Sequence, residues 1–201
     1  MTRIGLSLAT GVATVLFSGV AFAVKVGEQA PSFAAKDSKG KEHKLSDYSG
    51  KYIVLEWHNQ GCPFVQKHYD TGNMQKLQRE WTSKGVIWLT VISSAPGKQG
   101  YVTGPQADAY VNEKKAAPSA VLLDPSGTMG RAYSAKTSPH MIVVDPKGVV
   151  IYNGAIDDRP TAEKGDVSGA RNYVAAALTE AMAGKAVTTP TTVPYGCSVK
   201  Y

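Results

Sequence analysis

Cysteine is scarce here: the chain holds two, Cys62 and Cys197, among its 201 residues. Two thiols are too few for a disulfide-built scaffold, so they act by reactivity or as a single staple. They also lack neighbours of their own kind. The second cysteine of a C-x-x-C pair would stand at position 65, which is Val65, and no H-x3-H or C-x3-C spacing occurs. No metal site and no cofactor is expected from such spacing. Basic residues form no run. The 22 Lys and Arg are scattered without an interleaved aromatic ladder, the pattern of a solvated surface and not of a nucleic-acid binder. Internal repeats, low-complexity stretches and linkers are absent as well, and after the first residues no segment is long and apolar enough to span a bilayer.

The N-terminus is the exception. Met1 to Arg3 carries one positive charge, Ile4 to Val20 is uncharged and rich in Ala, Val, Leu and Gly, and Ala21-Phe22-Ala23 is an A-x-A pattern. This predicts a signal peptide over residues 1–23, cleaved after Ala23, with the protein periplasmic or secreted and not stably inserted in a membrane after cleavage. An uncleaved anchor is the alternative, and it too puts the bulk outside the cytoplasm. Export places the two thiols where disulfides persist. Without Arg3 the chain keeps 21 basic residues against 16 acidic ones. The remaining residues suit one domain over 24–184, followed by a tail, 185–201, that carries Cys197.

Local signals order the body of the chain. Residues 33–45 read as two short edge strands joined at Ser38-Lys39-Gly40. Strands are predicted over 52–57, 86–92 and 120–123. Their near-continuous apolar character marks strands covered on both faces. Met141–Val144 and Val149–Tyr152, joined by Asp145-Pro146-Lys147-Gly148, read as a hairpin. Helices are predicted from Pro63, from Asn73 as a capping residue, from Pro105, over 129–133 and over 168–182. Thr71-Gly72-Asn73 breaks the first from the second. The tail, rich in Thr and Pro, reads as extended and docked only in places. The order is an α/β fold: a mixed central sheet with helices on both faces, plus a small N-terminal β unit. Sites on such folds lie at the C-terminal ends of strands, and Cys62 falls there.

Cys62 follows the apolar run 52–57 and precedes Pro63, which puts it at a helix N-terminus. Unsatisfied N–H groups and the helix dipole favour a thiolate at such a place. It reads as an attacking nucleophile, against the alternative of a buried inert cysteine. Cys197 sits in Pro194-Tyr195-Gly196-Cys197, where the glycine would let backbone approach backbone. It reads as a resolving thiol, a static bridge to Cys62, or an unpaired thiol. His58, His68 and His140 are each placed to lower the thiol pKa or, with Cys62, to ligate a soft metal, although a lone histidine is more often structural.

Gly27-Glu28-Gln29-Ala30-Pro31-Ser32-Phe33, Leu45-Ser46-Asp47-Tyr48-Ser49-Gly50-Lys51, the Cys62-Pro63 pair and Pro139 before the hairpin together resemble the thioredoxin superfamily. The nearer resemblance is to its peroxiredoxin-like (AhpC/TSA, redoxin) branch, with features of the exported TlpA-type thiol-disulfide oxidoreductases. It covers residues 26–183 and implies a thioredoxin-like fold. It also implies that Glu56, six residues before Cys62, is a buried proton acceptor, and that Pro139 is a cis proline opposite the nucleophile whose backbone pairs with substrate. A peroxiredoxin site P-x-x-x-[TS]-x-x-C would need Pro at 55 and a hydroxyl at 59, where this chain has Leu55 and Asn59. The Asn59 amide is the remaining donor for a peroxide. Peroxiredoxins accept resolving cysteines in a C-terminal segment, where Cys197 lies.

The expected function is therefore an exported thiol-based oxidoreductase. Cys62, Cys197 and Glu56 would carry the chemistry, and Pro139, Asn59, His58 and His140 would line the substrate site. The partners are a peroxide or protein-disulfide substrate and an external thiol or thioredoxin-like electron donor. The alternative is a copper-binding or copper-delivery module on the same fold.

Overall fold

A computed structural model describes residues 24–201; the predicted signal peptide lies outside the described residues. Its elements are β1 (Ala34–Asp37), β2 (Glu42–Lys44), β3 (Ile53–Trp57), α1 (Pro63–Asp70), α2 (Asn73–Ser83), β4 (Ile87–Ile92), α3 (Gly104–Lys114), β5 (Ala120–Leu123), α4 (Thr128–Ala132), β6 (Thr137–Ser138), β7 (His140–Val144), β8 (Val150–Gly154), α5 (Tyr173–Met182) and β9 (Cys197–Ser198). Seven strands form one sheet in the order β2-β1-β5-β4-β3-β7-β8. β3, β4 and β5 run parallel, and the strands outside them pair antiparallel.

β3 and its neighbours are buried along their whole length except at Ile87, which is partly buried, and their side chains still alternate. Val54, Trp88 and Val143 enter one core, with Val65, Met74, Leu77 and Trp81 from α1 and α2 and with Val174 and Leu178 from α5. Leu55, Trp57, Leu89, Val91 and Ile142 enter the other, with Met129 and Tyr133. Period-two geometry thus splits a continuous apolar run between two layers. This is the mixed sheet covered on both faces, with a thioredoxin-like arrangement of strands and helices and the small N-terminal β unit beside it.

Local chemistry sets the boundaries. Pro63 occupies the first turn of α1, where a missing N–H costs nothing. Gly72, at φ +76, separates α1 from α2 and is itself the residue before α2, so Asn73 does not cap that helix. The Asn73 amide instead donates to His68 Nδ1 at 2.9 Å. The last helix also starts later than the periodicity predicts. Residues Lys164–Gly169 form a 3-10 turn, Ala170 is extended, and Asn172 Oδ1 accepts from the Ala175 N–H at 2.8 Å to open α5.

The tail is docked far more fully than its composition suggests. Thr191 bridges Asn153 on β8. β9 pairs antiparallel with β6, placing Thr137 opposite Ser198 and Ser138 opposite Cys197. Val199 N–H then donates to Lys136 O at 3.1 Å, and Ala95 N–H to Lys200 O at 2.8 Å. Each of these contacts is remote in sequence, which local composition does not encode.

Candidate active site

Cys62 stands at the C-terminal end of β3, one residue before α1, and has no exposed surface. Its loop is built by Asn59. The Asn59 Oδ1 accepts from Gly61 N–H at 2.9 Å, its carbonyl accepts from Cys62 N–H at 3.0 Å, and its amide donates to Gln99 O at 3.4 Å. Asn59 thus shapes the turn that delivers the thiol, and its amide is engaged within the protein.

The Ser138–Pro139 peptide bond is cis, as the resemblance implied. Register places Trp57 on β3 opposite His140 on β7, so the cis-proline turn sits at the same end of the sheet as Cys62. The Cys62 thiol donates to Ser138 O at 3.1 Å. No N–H of the first turn of α1 bonds the sulfur. The backbone donor that reaches it comes from the tail, where Cys197 N–H lies 3.4 Å from Cys62 Sγ.

The two cysteines, 135 residues apart, are therefore neighbours, both reduced. Gly196 makes this possible. It has φ +135, and a Cβ there would overlap the Ser138 carbonyl oxygen. Burial pushes the Cys197 thiol up to about 11, reinforced by its hydrogen bond to Cys62 and the charge of that sulfur. Cys197 is partly exposed where Cys62 is not.

Glu56 is also buried, but within a different set of partners. Its Oε1 accepts from Tyr69 Oη at 2.7 Å. Its Oε2 accepts from Trp88 Nε1 at 2.7 Å and from Gln78 Nε2 and Thr90 Oγ1 at 3.2 Å each. A carboxylate has lone pairs for all four donors. None of its hydrogen bonds goes to either cysteine. His58 Nδ1 lies 3.7 Å from Glu56 Oε1, and its ring packs on Tyr69 and Tyr110.

The other histidines also end on partners that are not sulfur. His140 Nδ1 accepts from Lys136 N–H at 3.2 Å and its Nε2 bonds Asn153 Oδ1 at 2.7 Å, which assigns the proton to Nε2. His68 accepts from Asn73 at Nδ1, so its Nε2–H faces Tyr195 Oη at 3.3 Å. The set of Cys62 with His58, His68 and His140 does not converge. Among the described residues no group of three His, Cys, Asp or Glu is arranged to hold a metal ion.

Sequence reasoning missed the lysine, the aspartate and the tyrosine around His68. Lys67, fully buried on α1, donates to Arg159 O at 2.7 Å and lies 3.9 Å from Asp157 Oδ2. Tyr195, two residues before Cys197, donates its hydroxyl to Asp157 Oδ1. A lysine and a histidine side by side inside an otherwise apolar helix face were the available signal.

Burial lowers His68 from 6.5 to about 4, helped by the charge of Lys67 and opposed by Glu56; it lowers His140 from 6.5 to about 4 as well, opposed by the Asn153 hydrogen bond. Folded-state values below the unfolded ones mean that the unfolded chain takes up protons first. The stability these histidines contribute is complete above pH 6.5 and is lost as pH falls towards 4. Each withholds on the order of 3 kcal/mol at the acid end of that window. Urea unfolding from pH 7 to pH 4.5 is expected to show steadily falling stability, with His140→Gln flattening the dependence. A pH-independent midpoint over that range would refute this.

A model of the AhpC/TSA family matches residues 26–153. The thioredoxin-like protein YneN of Bacillus subtilis is 26% identical over 146 residues, covering 72% of this chain and 81% of that protein. The thiol-disulfide oxidoreductase ResA of Geobacillus kaustophilus is 36% identical over 74 residues, 37% of this chain and 41% of that one. A crystal structure of a hypothetical protein from Sinorhizobium meliloti superposes with a TM-score of 0.75 at 22% identity, covering 90% of this chain and 96% of the other.

Proposed function

Because this chain belongs to the AhpC/TSA family, we propose that it is an exported thiol–disulfide redox protein in which Cys62 attacks and Cys197 resolves. The observation that carries this reading is the seating of Cys197 on the backbone beside the cis proline, with its N–H 3.4 Å from Cys62 Sγ. The resemblances to ResA and YneN point the same way. No helix of the described residues is long and apolar enough to cross a membrane, and export rests on the predicted signal peptide.

The electron flow is that of disulfide exchange. The Cys62 thiolate attacks one sulfur of a substrate disulfide, forming a mixed disulfide and expelling the other sulfur as a thiolate. Cys197, having given up its proton to solvent or to the departing thiolate, attacks the Cys62 sulfur. The second substrate thiolate leaves, and Cys62–Cys197 forms. The substrate disulfide has become two thiols. An external dithiol donor or thioredoxin-like partner then reduces the protein and is itself oxidised. Glu56 is the candidate proton acceptor and Pro139 the turn on which substrate backbone aligns. His58, Asn59 and His140 support this site from inside the protein.

Disulfide exchange is favoured over peroxide reduction by the engagement of the Asn59 amide with Gln99 and by the lack of a hydroxyl at that position. The test is to treat the reduced protein separately with hydrogen peroxide and with a disulfide-bonded peptide, and to map the products by mass spectrometry. The Cys62–Cys197 disulfide is expected, formed faster with the peptide. Recovery of both thiols unmodified in both arms would overturn the reading. Faster formation with peroxide would move the substrate to the peroxide class.

A further inference from the structure

Cys197 is kept over Cys62 by more than the two-residue strand β9. A ladder that short is marginal alone. Two tyrosines straddle it. On the far side, Tyr201 donates to Ala135 O at 2.8 Å and stacks under the Arg131 guanidinium at 4.6 Å, in a slot where a Cβ on Gly127 or Gly130 would strike its ring. On the near side, Tyr195 lies between α1 and the loop after β8. Its ring meets Phe64 edge-on at 5.9 Å, with Lys67 Nζ 5.5 Å from its centroid.

The polar chain beneath Tyr195 is directional. Asn73 donates to His68 Nδ1, His68 Nε2–H points at the Tyr195 oxygen, and the Tyr195 hydroxyl donates to Asp157 Oδ1. Asp157 is buried, and among the described residues its Oδ2 has no hydrogen-bond partner although Lys67 and His68 both stand 3.9 Å away. The phenol therefore supplies the side-chain donor to a buried carboxylate, a hydrogen bond of the stronger, charge-assisted kind. It is two residues from the thiol it would hold.

We propose that Tyr195 is a positioning residue for the cysteine pair: its bond to Asp157 seats Cys197 against Cys62 and keeps Cys62 covered, so that a partner meets Cys62 only when the tail lifts. The proposal rests on the reading of Cys62 and Cys197 as a redox couple. It assigns no chemistry to Tyr195. It makes the occupancy of the Asp157–Lys67–His68 pocket the variable that sets access to Cys62.

Two measurements on the mature chain test it. In a Cys197→Ser background, native-state alkylation of Cys62 by iodoacetamide reports how often the tail lifts. Tyr195→Phe keeps the ring and deletes the hydroxyl, and it is expected to raise that rate about tenfold, the loss of one hydrogen bond to a charged group. With both cysteines present, the equilibrium with glutathione is expected to move far less, because the docked tail dominates both the dithiol and the disulfide and loses the same bond in each. Gly196→Val, which cannot seat β9, calibrates the fully lifted state. If Gly196→Val accelerates alkylation while Tyr195→Phe leaves it at the wild-type rate, the strand alone holds the tail and the proposal is overturned. If the wild-type pair forms no disulfide with glutathione at all, the redox reading fails, and the alkylation series still decides what Tyr195 does.

Discussion

Cys62→Ser is expected to bring disulfide reduction, and any peroxide reduction, down to the uncatalysed rate while leaving the fold intact. A serine hydroxyl can still donate to the Ser138 carbonyl that Cys62 Sγ meets at 3.1 Å, so the local packing survives. What disappears is the thiolate, the only form that attacks a disulfide sulfur. Cys197→Ser should behave differently. It keeps the first step and loses the second, so the protein accumulates as a mixed disulfide at Cys62 that an added dithiol releases. Steady-state turnover falls, and the trapped adduct is visible as an added mass. Residual wild-type turnover in Cys62→Ser would mean that the chemistry lies elsewhere, and a Cys197→Ser protein that still turned over at full rate would remove the tail from the cycle.

Glu56→Ala is expected to cost about 4 kcal/mol or more of folding stability, because it strips the acceptor from several buried donors, at about 1–3 kcal/mol for each group left unpaired. Trp88 Nε1 and Tyr69 Oη, each 2.7 Å from the carboxylate, have no comparable partner to turn to. A single domain has about 5–15 kcal/mol to lose, so this variant should melt far below wild type or fail to accumulate. Glu56→Gln separates structure from chemistry. Its amide oxygen can replace Oε2 under Trp88, Gln78 and Thr90, and its NH2 can face Tyr69, whose oxygen can accept, so most of the stability should remain. If Glu56 also exchanges protons during turnover, this well-folded variant should be slow and its pH–rate profile should lose a limb. A Glu56→Ala protein as stable as wild type would contradict the four hydrogen bonds.

The legible part of the fold was that written in short-range signals. Apolar runs bounded by glycine and proline gave β3, β4, β5 and the β7–β8 hairpin, and Pro63 and Pro105 marked helix starts within a residue. The cis bond at Pro139 came from the resemblance. What escaped reading was long-range. The acceptors and donors around Glu56 sit at positions 69, 78, 88 and 90, on α1, α2 and β4, and no spacing rule links them. The tail is legible only in outline for the same reason: Thr and Pro report a preference for extended backbone, and which strand an extended segment joins depends on the partner it meets. Asn73 shows the converse case. It has the chemistry of a helix cap, but Gly72 already supplied the turn, so its amide was available to fix a histidine.

The pairing of Thr191 with β8 has a consequence for how far Cys197 can travel. Asn153 N–H donates to Pro190 O, Thr192 N–H to Asn153 O, and Ala155 N–H to Thr192 Oγ1, so the chain is pinned to the sheet up to Thr192. Val193, next in line, is 86% exposed. It is the natural pivot. If everything beyond it swings out, Cys197 still hangs on a leash of five residues, about 17 Å long at full stretch. A thiol confined to so small a volume keeps a local concentration in the millimolar range around Cys62. The arm can therefore admit a visiting disulfide and, within one diffusive sweep, return to compete for the same sulfur.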